Sequence, residues 1–363
     1  MRFPQHITPG QTIGVTAPSF GASSEPYISR FDLAARKFAE AGYQIKAGAT
    51  CHMSDGLGIS TNPERAAQEL EEFYLDDGVQ AIISCGGGEL MCETVGHIDF
   101  LKLGEVRPKW FMGYSDNTNF IFPMATIAGV AGIYGPTFTG FGKPWEQAET
   151  DALALLEGKT TIVRGYSHFQ SPEADYEATV KDPFSPYVLD TKKQLKTFIP
   201  KGGQLMPAND EEAVSASGIL LGGCLDVLAN LCGTKLDNMK TFNREHGAVA
   251  WVLESCDGNP MEIRRQIWHL DNAGWFGNAS LFVIGRPLAS WQKSMMGVDQ
   301  YNAVTDILAY HKVPVIMDAD VGHISPTVPL VIGAETAVHA QGNELYFELL
   351  HEAGASRPLC NQR

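Results

Sequence analysis

Lys109-Trp-Phe-Met-Gly-Tyr-Ser-Asp-Asn-Thr-Asn-Phe120 is the stretch that decides how this chain folds. Trp110, Phe111 and Met112 form a short apolar run of the kind a buried strand makes, and Gly113 closes it. Asp116, Asn117 and Thr118 are helix-capping residue types, and the residues behind them predict a helix from about Asn119 to Ala128. Ser115 therefore falls at a strand-to-helix corner, held out of the strand at the positive end of a helix dipole. An alkoxide or oxyanion is favoured there. The same residues also make an ordinary N-cap cluster, so this stretch alone leaves both uses open.

The flanking sequence repeats the strand–helix alternation. Strands are predicted at 12–18, 43–47, 79–84 and 132–134, and helices near Ser29–Ala41, over Pro63–Leu75 and through Thr94. Asn62 caps the Pro63 helix, and Pro63 suits its first turn. A helix over Asp151–Glu157 follows. Such alternation implies a parallel sheet covered on both faces. From 165 to 212 the chain is rich in Pro, Asp, Ser and Lys with weak periodicity, which reads as an extended linker with room for one or two strands.

A second alternating region begins at Ala216. Its strongest strand is Val249–Glu254, with further strands at 280–285 and Pro314–Asp318 and closing strands at 330–333, 337–340 and 345–349. Helices are predicted over Cys224–Cys232, Pro260–Ala273 and Gln300–His311. The fold class is α/β in two domains: 1–164, a linker over 165–212, a second domain over 213–353 and a polar tail over 354–363.

A length of 363 residues fits about two domains, and 44% hydrophobic residues against 19% charged ones supply a sizeable core. A net charge of -15 argues against nucleic acid or an anionic membrane as partner, since phosphate binding needs clustered Lys and Arg. The start Met1-Arg-Phe-Pro-Gln-His lacks the basic, apolar pattern of a signal peptide, and no apolar run approaches a membrane span. Seven scattered cysteines without CxxC fit a reduced cytoplasm, which is the expected compartment. Neither HExxH, HxH nor a Cys/His cluster is present, so neither a metal nor another cofactor is expected.

In parallel α/β sheets ligands gather at the carboxyl ends of strands. Four such ends stand out here: Gly86-Gly87-Gly88, Ser115, Glu254 and His323. A serine needs a base, and of ten histidines His323 alone lies just past a strongly predicted central strand. His269 and His311 fall in or at the end of helices, where a packed or dipole-pairing role fits better. Glu254 ends the most apolar strand of the second half and could orient a histidine; a strand-end salt bridge is the alternative. The glycine run has no GxGxxG or GxxxxGK[ST] context and better suits backbone N–H donors of an oxyanion hole, or simply a tight turn. Asp116, next after Ser115, would supply the other donor.

Together these sites resemble the LD-carboxypeptidase family of serine peptidases, which includes the microcin C self-immunity proteins. The resemblance runs through Ile13-Gly-Val-Thr-Ala-Pro-Ser19, Ser84-Cys-Gly-Gly-Gly-Glu-Leu90, Phe111-Met-Gly-Tyr-Ser-Asp-Asn-Thr118 and Tyr134-Gly-Pro136. It continues through Gly218-Ile-Leu-Leu-Gly-Gly-Cys-Leu-Asp226, Leu231-Cys-Gly-Thr234, Trp251-Val-Leu-Glu254, Ile284-Gly-Arg286 and Gly322-His323.

The resemblance implies a flavodoxin- or amidotransferase-like first domain and a smaller α/β second domain, with the site between them. It implies a Ser115–His323–Glu254 triad, an oxyanion hole of Gly87 and Asp116 N–H groups, and possible substrate contacts at Gly88 and Glu89. It implies cleavage between an L-centre and a terminal D-residue, as in murein tetrapeptides, by a cytoplasmic homodimer without a metal. Related members cleave peptidyl or aminoacyl groups from nucleotides, and that branch is expected to stack the base on a linker tryptophan. Here all six Trp lie outside 165–212, where only Tyr166, Phe169, Tyr176, Phe184, Tyr187 and Phe198 are aromatic. Gly222-Gly223-Cys224 also departs from the family's frequent Gly-Gly-Asn. A non-catalytic two-domain binding protein is the reading from another class.

Overall fold

The computed structural model describes residues 1–172 and 181–350; Tyr176 and the expected tail lie outside them. In chain order its strands are β1 (Thr12–Thr16), β2 (Gln44–Ala47), β3 (Ala81–Ser84), β4 (Trp110–Gly113), β5 (Gly132–Tyr134), β6 (Ile162–Arg164), β7 (His168–Phe169) and β8 (Thr191–Lys192). There follow β9 (Lys196–Lys201), β10 (Gln204–Pro207), β11 (Val214–Cys224), β12 (Val249–Glu254), β13 (Ala279–Gly285), β14 (Ser294–Met295) and β15 (Val298–Asp299). The last are β16 (Val315–Ala319), β17 (Leu330–Ile332), β18 (Glu335–Gln341) and β19 (Glu344–Leu349).

The first sheet has the order β17-β5-β4-β3-β1-β2. Its β1 to β5 are parallel in the flavodoxin-like arrangement, and β17 joins β5 antiparallel with Leu330 opposite Tyr134. The second sheet has the order β10-β9-β16-β13-β12-β11-β18-β19-β6. Its centre, β16-β13-β12-β11, is parallel, and antiparallel strands flank it on both sides.

Pairing thus crosses the expected divisions of the chain. β6 lies within 1–164 yet pairs with β19 in the second sheet. β9 and β10 lie within the expected linker yet extend the same sheet beyond β16. β17 comes from the second half yet completes the first sheet. β6, β9 and β10 are short or partly exposed, and β9 carries lysines at both ends, so their sequence lacks the apolar run that reveals a central strand; β17 is apolar and buried, and only its place in the first sheet goes unannounced.

Helix ends follow the local chemistry. Asn62 Oδ1 accepts the Arg65 N–H at 3.0 Å at the head of the Pro63–Leu75 helix, as the cap signal predicts. Asn259 and Glu262 form a reciprocal capping box on the Pro260–Asn272 helix. The helix expected from Asn119 runs over Thr118–Thr126, and all nine of its residues are buried. It is buried all round because both sheets' layers enclose it, and its polar Thr118, Asn119 and Thr126 are hydrogen-bonded within the protein. Phe122 stacks on Trp275 with ring centroids 4.9 Å apart, and Trp251 of β12 lies close by. Burying a side chain such as Phe122 contributes about 1.5–3 kcal/mol, so this helix fastens the two layers together. Ser115 therefore sits at the junction.

Candidate active site

Tyr114 is extended, and Ser115 then turns into the left-handed region with φ 62°. A non-glycine residue held there costs about 1–2 kcal/mol. The surroundings hold the corner in place. The Ser115 N–H donates to Tyr134 Oη at 3.0 Å, and Asn117 Nδ2 donates to the Tyr114 carbonyl at 2.9 Å and the Gly86 carbonyl at 3.0 Å.

Ser115 Oγ lies 2.8 Å from His323 Nε2, and His323 Nδ1 lies 2.9 Å from Glu254 Oε2. The three residues singled out in the sequence are therefore brought into one hydrogen-bonded chain. His323 lies in the loop between β16 of the second sheet and β17 of the first, so the antiparallel seat of β17 carries it across the junction. Gly322, at φ 110°, passes so close that a Cβ there would lie 2.6 Å from Glu254 Oε2. Only glycine leaves room for the loop to bring the imidazole onto the carboxylate.

Glu254 is 1% exposed, and Tyr134 Oη donates to its second oxygen at 2.5 Å. One tyrosine thus accepts the Ser115 N–H and donates to Glu254. Tyr134 received no role of its own from the sequence; its position at the end of β5 was the available signal. Tyr134→Phe is expected to cost about 1–3 kcal/mol of stability, because a buried carboxylate oxygen and the Ser115 N–H lose their partner. Thermal unfolding beside kcat checks this, and an unchanged melting temperature would contradict it.

Burial acts to lower the His323 pKa, but the Glu254 charge and hydrogen bonds with Cys256 and Glu254 outweigh it and hold the imidazole well above the usual 6.5. Asp116 turns its side chain inward. Its Oδ2 accepts Ser19 Oγ at 2.5 Å and the Met91 N–H at 2.9 Å, and Oδ1 accepts Asn119 Nδ2 at 2.8 Å. Burial raises this carboxyl's pKa while those three hydrogen bonds oppose the rise. The side chain is a structural tie, and the first-turn N–H above it faces no helical acceptor.

Gly87 lies across from Ser115: a Cβ there would be 3.5 Å from Ser115 Cβ and 3.7 Å from Oγ. Gly88 packs against Ser19, whose hydroxyl occupies the space a side chain would need. Glu89 is exposed on the cleft wall; burial raises its carboxyl pKa, with Asp257 and Asp116 adding to the rise. The cleft over Ser115 has a volume of about 640 Å³. His311 instead pairs with Asp271 at 2.7 Å, a helix-end role. Among the described residues no His, Cys, Asp or Glu group is arranged to hold a metal ion, and no helix is long and apolar enough to cross a membrane.

Serine hydrolases of the two-domain α/β kind are built in this way, with the nucleophile corner on one sheet and its partners on another. The chain belongs to the LD-carboxypeptidase family: that family's N-terminal domain matches residues 13–135 and its C-terminal domain residues 217–338. It is 25% identical over 340 residues to a Bacillus subtilis protein described as "Probable murein peptide carboxypeptidase", covering 93% of this chain and 91% of the relative. It is 20% identical over 347 residues to the microcin C7 self-immunity protein MccF of Escherichia coli, covering 91% and 90%. The solved wild-type structure of MccF without ligand superposes with a TM-score of 0.77 at 18% identity, covering 96% of this chain and 98% of that one. An MccF-like protein from Bacillus anthracis gives 0.66 at 20% identity, covering 97% and 100%.

Proposed function

We propose that this chain is a serine carboxypeptidase that cleaves the amide between an L-centre and a terminal D-amino acid, as in a murein tetrapeptide. The observation that carries the proposal is the Ser115–His323–Glu254 chain of hydrogen bonds at 2.8 Å and 2.9 Å. His323 Nε2 takes the Ser115 proton as Oγ attacks the scissile carbonyl. The N–H groups of Asp116 and Gly87 receive the oxyanion, each worth about 3–4 kcal/mol in the transition state. The protonated His323 gives its proton to the leaving amine, and water then resolves the acyl-enzyme. Glu254 stays ionised and holds the imidazole by Nδ1.

The raised His323 pKa sets the sign of the pH dependence. The imidazolium persists to higher pH than in a free histidine, and only the neutral ring is a base. The acidic limb of kcat/KM is therefore expected to rise through a midpoint above 6.5, the ordinary histidine value. A midpoint at or below 6.5 would contradict the coupling to Glu254.

A second reading has a specific observation behind it: MccF has been solved with glutamyl sulfamoyl guanosine and with aspartyl sulfamoyl adenosine. That activity would need a free aromatic face for the base. Tyr187, the linker aromatic that lines this cleft among the described residues, instead has Lys143 Nζ 3.7 Å from its ring centroid. Hydrolysis of a murein tetrapeptide beside an aminoacyl sulfamoyl adenosine separates the two, and the peptide is the expected substrate. Failure of a fluorophosphonate probe to label Ser115 would favour a binding protein over either enzyme.

A further inference from the structure

Two cations in the cleft have no task in the mechanism above. Lys143 is 6% exposed, and among the described residues it forms no ion pair; its Nζ rests on the Tyr187 ring at 3.7 Å. Burial and the like charge of Arg30 push its ammonium down to about 8, against the pull of Glu149. Arg30 extends from the first turn of the Tyr27–Glu40 helix, and its Nε donates to the Pro183 carbonyl at 2.8 Å. Among the described residues its Nη2 is buried without an acceptor. A buried guanidinium donor left open in this way points to a missing anion.

Glu149 acts on Lys143 through its charge, but among the described residues it forms no hydrogen bond or ion pair with either cation. Its carboxylate is 3% exposed and accepts the Glu146 N–H in a capping box at 2.9 Å. Burial raises its pKa, while the backbone hydrogen bonds and the Lys143 charge work against the rise. The other acidic groups of the cleft are Glu89, Asp116, Asp226 and Asp257, and the charges of the three aspartates all act on Glu89.

Arg30, Lys143, Tyr187, Ser325 and His323 line the same cleft. Tyr187, which carries Lys143, interacts with Ser325, two residues past His323. The leaving amine must lie at His323 Nε2 to receive its proton. In a carboxypeptidase substrate the terminal carboxylate is one carbon beyond that amine.

We infer that Arg30 and Lys143 form the subsite that binds the terminal carboxylate of the leaving residue. The inference rests on the carboxypeptidase reading and adds what makes the enzyme act on chain ends: an internal peptide bond or an ester presents no charge to this pair. Arg30 offers Nη2, and Lys143 offers the ammonium that the Tyr187 ring holds in place.

The test uses the full-length enzyme and labelling of Ser115 by a fluorophosphonate, with N-acetyl-L-lysyl-D-alanine or its C-terminal amide as protecting ligand. In the unmodified enzyme the acid is expected to protect at roughly 30-fold lower concentration than the amide, as for a desolvated charge pair. Lys143→Met and Arg30→Gln are each expected to shrink that ratio to below about 3, and Lys143→Arg to restore most of it. A ratio near one in the unmodified enzyme overturns the subsite while leaving the nucleophile intact. So does a ratio that survives in Lys143→Met, the result of a purely structural lysine, which would weaken acid and amide together. No labelling at all in the unmodified enzyme overturns the hydrolase reading itself.

Discussion

Ser115→Ala is expected to lower kcat by about a million-fold, to the residual activity that an oxyanion hole and binding supply without a nucleophile. The substitution removes one oxygen and leaves the corner's other ties in place. The Ser115 N–H still meets Tyr134, and Asn117 still spans to Tyr114 and Gly86. Alanine at φ 62° is strained as serine is, so stability is expected to stay within about 1 kcal/mol. The decisive measurement pairs turnover of a murein tetrapeptide with thermal unfolding. A folded variant with even a tenth of normal activity would remove Ser115 from the chemistry.

Glu254→Gln is expected to cost about ten-thousand-fold in kcat with little change in KM. The carboxylate meets two donors, His323 Nδ1–H and Tyr134 O–H, one on each oxygen. An amide has one oxygen and one NH2 group, so whichever way it turns, one donor faces another donor. If NH2 faces His323, the ring shifts its proton to Nε2 and can no longer accept from Ser115. If NH2 faces Tyr134, the tyrosine loses its buried acceptor. The pH limb should also fall, because the charge that holds the His323 pKa up is gone. Adding Tyr134→Phe frees the amide to turn its oxygen to His323, so the double variant is expected to recover part of the lost kcat. A double variant as impaired as the product of the two single losses would break this account.

Much of the site was legible because each partner ends a strand with a strong local signature. Trp110–Met112, Val249–Leu253 and the strand before Asp318 are apolar runs, and side chains at their carboxyl ends face the ligand side of a parallel sheet. Asp116 was legible only by its backbone; its side chain ties Ser19, Met91 and Asn119, contacts between segments up to 97 residues apart. Tyr134 was not assigned, since a tyrosine closing a short strand gives no local sign of its two partners. The Arg30–Lys143 pair was also unread: Lys143 looks like a surface lysine until the Tyr187 segment folds over it.

By itself, then, the sequence determined the alternation of strands and helices, the corner at Ser115 and the residue types able to act with it. Those are local properties, set by apolar periodicity, caps and turns. Only the tertiary structure decided that β17 from the second half completes the first sheet, that β6, β9 and β10 extend the second, and that His323 thereby reaches Ser115. The reason is physical: strand pairing and burial are settled between residues distant in the chain. The enclosed Thr118–Thr126 helix can bury its whole surface only when both layers close on it.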